Sequence, residues 1–113
     1  MDAFALRELL DRLDRSEPAF DHFFRAVRLS LTIASWPEGS IDDQQPHAED
    51  EIYFVAGGTA VLRVGDEDRQ VGPGSVIYVA AGVAHHFHSI TEHLQVLVFR
   101  CGTTDDRGVR TPR

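Results

Sequence analysis

Lysine is absent from this chain: all eleven of its basic residues are arginine. That excludes a lysine Schiff base or a cofactor held as a lysine imine. Cysteine occurs once, as Cys101, so no internal disulfide can form. A chain without that staple suits a reducing compartment, and the cytoplasm is the expected location. Cys101 lies near the end of the last apolar run and reads as a small semi-buried residue rather than a nucleophile. Basic charge is in deficit as well: 11 arginines against 18 acidic residues give −7, and the pI is about 5.2. A nucleic-acid partner needs a basic face, so none is expected. No apolar run approaches the roughly 20 residues that cross a bilayer. The chain starts acidic at Asp2, without the basic opening of a secretory signal. A soluble protein with no membrane partner is expected.

What is present fits one domain. The chain has 113 residues, with 42% hydrophobic and 26% charged, enough for one core and not for two. Residues 3–15 carry Leu6, Leu9, Leu10 and Leu13 at helical spacing, with Asp2 as N-cap and Pro18 beyond the end. Glu8 with Arg12 and Asp11 with Arg15 are acid-before-base pairs four apart. From Phe23 the period changes to two. Short segments rich in β-branched and aromatic residues follow at 23–27, 29–34, 52–56, 60–64, 76–79, 85–88 and 94–99. Turn signals separate them at Pro37-Glu38-Gly39, Gly57-Gly58, Gly65-Asp66 and Gly72-Pro73-Gly74, and the glycine pair suits a tight hairpin. Many short strands at close intervals predict an all-β sandwich or barrel. The expected organisation is a helical segment over 1–19, a β-barrel over 20–101 and a disordered polar tail over 102–113.

The chemistry-bearing residues fall in two glycine-punctuated blocks. The first runs Gly39, Gln45, His47, Glu51, Gly58; the second runs Gly74, Ala80, Gly82, His85, Ser89. Two imidazoles and a carboxylate form a donor set that leaves positions open on a divalent transition ion. Gln45, His47 and Glu51 share odd parity, so extended chain aims all three at one face, with Tyr53 and Val55 below them. His85 and Phe87 share a face, while His86 and His88 take the opposite one. His93, in a polar Thr91-Glu92-His93 turn, and His22, ahead of the strands, are expected to be exposed. Trp36, Tyr53, Phe54 and Phe87 read first as core. The acidic stretch Asp66-Glu67-Asp68 lacks the glycine and the distal Glu of a calcium loop.

These blocks resemble the two motifs of the cupin superfamily. The first family motif is Gly, five residues, His-x-His, three or four residues, Glu, six residues, Gly. The second is Gly, five residues, Pro-x-Gly, two residues, His, three residues, Asn. Gly39, His47, Glu51, Gly58, Gly74, Gly82 and His85 match, while Gln45, Ala80 and Ser89 stand where the family has His, Pro and Asn. The resemblance implies a double-stranded β-helix, a jelly-roll barrel, preceded here by the short helix. It also implies one divalent metal (Fe, Mn, Ni or Zn) held by His47, Glu51 and His85 at the barrel mouth. Gln45 would be a weak fourth ligand through its amide oxygen, a hydrogen-bond partner of substrate or water, or a spectator. Glu51 would also shuttle a proton, and Tyr53, Val55 and Phe87 would line a substrate pocket. A metal-dependent small-molecule enzyme with dioxygenase-like chemistry is the leading expectation. The alternatives are a non-catalytic metal- or ligand-binding module and a metal-free isomerase- or epimerase-like protein. A homodimer is expected, because the leucine stripe, Ile52 and Phe54 need cover.

Overall fold

The computed structural model describes residues 1–102 and contains one short helix and six strands. These are α1 (Leu6–Asp11), β1 (Ala19–Arg25), β2 (Leu29–Trp36), β3 (Asp50–Val64), β4 (Glu67–Val71), β5 (Val76–Val79) and β6 (His85–Cys101). The tail expected from residue 102 onward lies, from residue 103, outside the described residues.

The helix is shorter than its leucine pattern predicts. Ala5, not Asp2, occupies the N-cap and makes no side-chain capping bond. A single uncapped turn and a half is unstable alone, so packing holds it: Leu9 is buried, Leu10 and Leu13 half-buried and Leu6 exposed. The Asp14 carboxylate accepts from Ser16 N at 2.8 Å and Ser16 Oγ at 2.7 Å, which turns the chain aside before Pro18. Arg12 donates to Asp21 at 3.3 Å rather than to Glu8.

All strand pairs are antiparallel, in the order β1-β2-β6-β3-β4, with β5 on the same side of β3 as β4. Two long strands organise the fold. β3 runs 15 residues and β6 runs 17, paired from Asp50↔Cys101 to Val64↔His85. On its other edge β3 meets β5 with its first half and β4 with its second, while β6 meets β2. All six strands thereby join in one antiparallel sheet organised by the two long strands, as in a jelly-roll barrel.

Two expected turns are therefore strand. Gly57-Gly58 is not a hairpin tip but a point where the register of β3 on β6 slips repeatedly between Val55 and Val61. Gly58 has φ +83°, and a Cβ there would meet the backbone of His93 and Leu94, the latter at 2.6 Å. The glycines let two bent strands touch, which is the bulge role of glycine rather than its turn role. Thr91-Glu92-His93 faces this slip and also stays in strand. The true two-residue turn is Gly65-Asp66, with Gly65 at φ +61°. Residues 67–71, polar in sequence, form the edge strand β4.

Alternation sets the core. Glu51, Tyr53 and Val55 point inward from β3, and Leu94, Val96 and Val98 from β6; all six are buried. Trp36, Leu62 and Phe87 complete the interior, with the Trp36 and Phe87 rings 5.2 Å apart. On the outer face Ile52, Val76 and Tyr78 are exposed. Cys101, expected to be semi-buried, is exposed at the end of β6.

Candidate metal centre

Three chain segments deliver the site. His47 sits on the loop between β2 and β3, Glu51 is the second residue of β3, and His85 opens β6. Glu51 and His85 are not ladder partners, since Glu51 pairs with Arg100 and His85 with Val64. They meet across the interior because β5 places Val79 beside Glu51, and the turn at Gly82 then feeds His85 back over it. Backbone bonds lock that turn to the first block. Gly82 N donates to His47 O at 2.7 Å, and Ala81 N donates to Asp50 Oδ1 at 2.9 Å. The two sequence blocks are thus joined by hydrogen bonds as well as by spacing.

The ligand atoms of His47, Glu51 and His85 lie within 4.8 Å of one another. Glu51 Oε1 is 3.7 Å from His47 Nε2 and 3.3 Å from His85 Nε2. Glu51 and His85 side chains are 1% exposed and His47 27%, so the site opens to solvent on the His47 side. The tautomer of His85 follows from chemistry. Its Nδ1 is 2.9 Å from Val83 O, which can only accept, so Nδ1 carries the proton. In the neutral ring Nε2 then presents a lone pair to the Glu51 carboxylate, and it has no hydrogen-bond partner among the described residues. Two acceptors at that distance repel unless a cation lies between them. A divalent ion fits this donor set, as does a proton when no metal is bound.

Charge states agree with that picture. Burial works to raise the Glu51 carboxyl, but the His85 imidazole facing it and the charges of His47 and Arg100 outweigh it and hold it below the ordinary range. Burial works to lower the His85 imidazole, yet Glu51 and the Val83 carbonyl push it above its usual value. His47 is lowered, chiefly by burial and against the pull of Glu51. Tyr53 is raised by burial and by the Glu51 charge and stays protonated.

The other predicted site residues fall in different places. Gln45 is exposed, and its amide nitrogen donates to Asp43 O at 3.4 Å. The parity argument for Gln45 needs an extended strand through residue 45, but β3 begins at Asp50. It is Gln44 that turns inward, donating to Asp42 Oδ2 at 2.7 Å and accepting from the Tyr53 hydroxyl at 3.4 Å. Tyr53, Val55 and Phe87, expected to line a pocket, are fully buried, and Phe87 lines a cavity together with Asp42, Gln44 and Gln45. The Tyr53 ring lies 5.8 Å from that of His85. His86 and His88 take the opposite face of β6, as expected, and His88 Nε2 is 2.9 Å from Asp68 Oδ1. His22 lies within β1, is exposed, and bonds Thr32. His93 is half-buried rather than exposed.

Two residues were missed by sequence reasoning. Arg100 donates from Nε to Glu51 Oε2 at 3.2 Å, and its Nη2 lies 3.5 Å from His47 Nε2. Its signal was available: it continues the inward parity of Leu94, Val96 and Val98 with a charge. Asp42 is 6% exposed and accepts from Phe87 N at 2.8 Å, pinning the His47 loop to β6. Nothing in the local pattern marks it.

A jelly roll with two imidazoles and a carboxylate converging at one end defines a cupin-type barrel. The family comparison agrees: the cupin domain model matches residues 32–100, and the chain belongs to that family. An uncharacterized protein of Streptomyces coelicolor is 47% identical over 98 residues, covering 87% of this chain and 93% of the relative. The crystal structure of the TT1209 protein from Thermus thermophilus superposes with a TM-score of 0.78 at 23% identity, over 89% of this chain and 97% of that one. An RmlC-like cupin family protein with a double-stranded β-helix fold from Methanocaldococcus jannaschii gives 0.71 at 14% identity, over 80% and 84% of the two chains. At those identities the two structures establish the fold alone.

Proposed function

We propose that this cupin is a metal-dependent small-molecule enzyme with dioxygenase-like chemistry at a mononuclear centre formed by His47, Glu51 and His85. The observation that carries the reading is the buried Nε2 of His85, without a hydrogen-bond partner among the described residues and facing Glu51 Oε1 at 3.3 Å. Three protein ligands leave coordination positions open, the arrangement associated with non-haem iron oxygenases, although nickel, manganese and zinc accept the same donors. A bound divalent ion would supply Lewis-acid polarisation of a substrate and, if redox-active, the means to use dioxygen. The protein side is specific. Val83 O fixes the His85 tautomer, Arg100 holds one oxygen of Glu51, and the apolar floor of Tyr53, Val55 and Phe87 keeps water from below. Glu51 is the group placed to accept or return a proton at Oε1.

The same reading takes a small molecule as substrate, with neither nucleic acid nor membrane as partner. Among the described residues no helix is long and apolar enough to cross a membrane. A cytoplasmic homodimer is part of the proposal. The exposed Ile52, Val76 and Tyr78 support dimerisation, because Ile52↔Tyr78 and Phe54↔Val76 are opposed pairs on one outer face.

The deciding experiment is metal analysis of protein purified without a histidine tag, followed by oxygen uptake with a panel of diketones, flavonols and thiols. Stoichiometric metal with oxygen uptake supports the full reading. Metal without turnover on any substrate leaves a binding module, and absence of metal affinity overturns the centre itself.

A further inference from the structure

Arg100 ends the inward row Leu94, Val96, Val98 on β6, and it stands opposite Glu51 in the ladder. Directly opposed residues of antiparallel strands share a face, so the guanidinium lies at the barrel mouth beside the ligands, 14% exposed. Two contacts with other described residues involve it, Nε to Glu51 Oε2 at 3.2 Å and Nη2 to His47 Nε2 at 3.5 Å. A guanidinium has five N–H donors, so three remain, including both on Nη1. Were His47 Nε2 to ligate a metal, its lone pair would be engaged and a further donor would be released.

The charge balance leaves room for an anion without requiring one. Glu51 with two neutral imidazoles carries −1, a divalent ion brings the cluster to +1, and Arg100 brings it to +2. Glu49, whose charge acts on His47, and the buried Asp42, whose charge acts on His85, bring this to zero. A carboxylate presents two coplanar acceptors that match the edge of a guanidinium.

We propose that Arg100 is the anion-binding residue of this centre, and that the ligand it takes is a small molecule bearing a carboxylate, seated between the guanidinium and the metal. The inference rests on the metal reading above and adds the chemical class of the substrate.

Calorimetric titration of zinc-loaded protein with benzoate, benzamide and inorganic phosphate tests it, with zinc affinity measured separately by chelator competition. Wild-type protein should bind benzoate at least tenfold more tightly than benzamide and more tightly than phosphate. Arg100→Gln, compared at saturating zinc, should lose tenfold or more for benzoate, beyond the loss of about 10–100-fold in zinc affinity expected when Glu51 loses its orienting partner. Arg100→Lys should recover part of the loss, since it keeps the charge but not the fork. Equal binding of benzoate and benzamide, tighter binding of phosphate, or unchanged benzoate affinity in Arg100→Gln would overturn the inference while leaving the metal centre standing. Should Arg100→Gln not fold, the benzoate-to-benzamide ratio of the wild type decides. A wild type that binds no zinc overturns the metal reading and the inference with it, and the chelator competition reports that separately.

Discussion

The Glu51 carboxylate is divided between Arg100 and the imidazoles. Arg100 Nε holds Oε2 at 3.2 Å, while Oε1 faces His47 Nε2 at 3.7 Å and His85 Nε2 at 3.3 Å. One oxygen is thereby fixed as an orienting contact and the other is left to a cation. Such partners behind a ligand typically contribute 10–100-fold to metal affinity.

Removing a ligand should cost more than removing such a partner. His85→Ala deletes a buried donor whose tautomer is already fixed, and zinc affinity should fall by more than about 100-fold. Glu51→Gln should fall comparably, and in the metal-free protein it should also destabilise the fold, because Arg100 loses its partner. Chelator competition and thermal melting check both. Retention of wild-type affinity in His85→Ala would show that the cluster is not the binding site.

Metal uptake should be linked to proton release. Metal at Nε2 requires neutral His85, and the His85 pKa is raised above its usual 6.5. Affinity should therefore be full above the raised pKa and decline as pH falls through it. In the metal-free protein the sign for His85 reverses. Its raised folded-state pKa contributes stability below 6.5 that is lost as pH rises through the folded value. Glu51, lowered from 4.5, contributes above that value and loses its contribution as pH falls through the folded pKa. Melting temperatures of zinc-loaded and metal-free protein should diverge as pH rises from about 6 to about 8. A constant gap would mean that no His85 proton is displaced.

The sequence showed the parts whose cause is local. Alternation in 51–55 and 94–98 sorted interior from surface, and spacing placed His47, Glu51 and His85 in one centre. The strand ends were misread where the cause lies across the barrel. Gly57-Gly58 has the composition of a turn, and only the approach of His93 and Leu94 makes it a slip between two long strands. The parity argument for Gln45 lacks its premise for a related reason: parity counts correctly only inside a strand, and the chain before Asp50 is loop. Arg100 was legible as an inward-facing charge, but its partner could not be named before the register of β3 on β6 was known.

Gly58→Ala should be among the more disruptive single-methyl changes in the chain. The added carbon would press on backbone rather than on a side chain that can move, and φ is +83°. Destabilisation of about 1–3 kcal/mol is expected from the backbone strain before the contact is counted. Gly65→Ala, at φ +61° with nothing within 4 Å of the added carbon, should cost less. Equal melting temperatures for the two variants would mean that the close approach at Gly58 carries no weight.

A dimer through the outer face of β3 and β5 should respond to charge. Ile52, Val76 and Tyr78 are 41%, 66% and 60% exposed. Ile52→Asp with Val76→Asp removes apolar area worth about 25 cal/mol per Å² when buried. Sedimentation should show a dimer in the wild type and a monomer in the double variant. A wild type that sediments as a monomer removes the need for the face to be covered.

Gln44 and Gln45 should separate cleanly although they are neighbours. Gln44 bridges the buried Asp42 carboxylate and the Tyr53 hydroxyl, whose ring lies against His85. Asp42 in turn accepts from Phe87 N at 2.8 Å and anchors the loop that presents His47. Gln44→Ala removes one good hydrogen bond and one long one, and should cost about 1–2 kcal/mol of stability. It should also loosen the His47 loop and weaken zinc binding several-fold. Gln45 is exposed and, among the described residues, its side chain bonds the Asp43 carbonyl alone, at 3.4 Å. Gln45→Ala should leave melting temperature and zinc affinity within error of wild type, and Gln45→His should add no fourth ligand. If Gln45→His instead binds zinc tenfold more tightly while Gln44→Ala is silent, the loop before Asp50 adopts the extended course that the parity of residues 45, 47 and 51 first suggested.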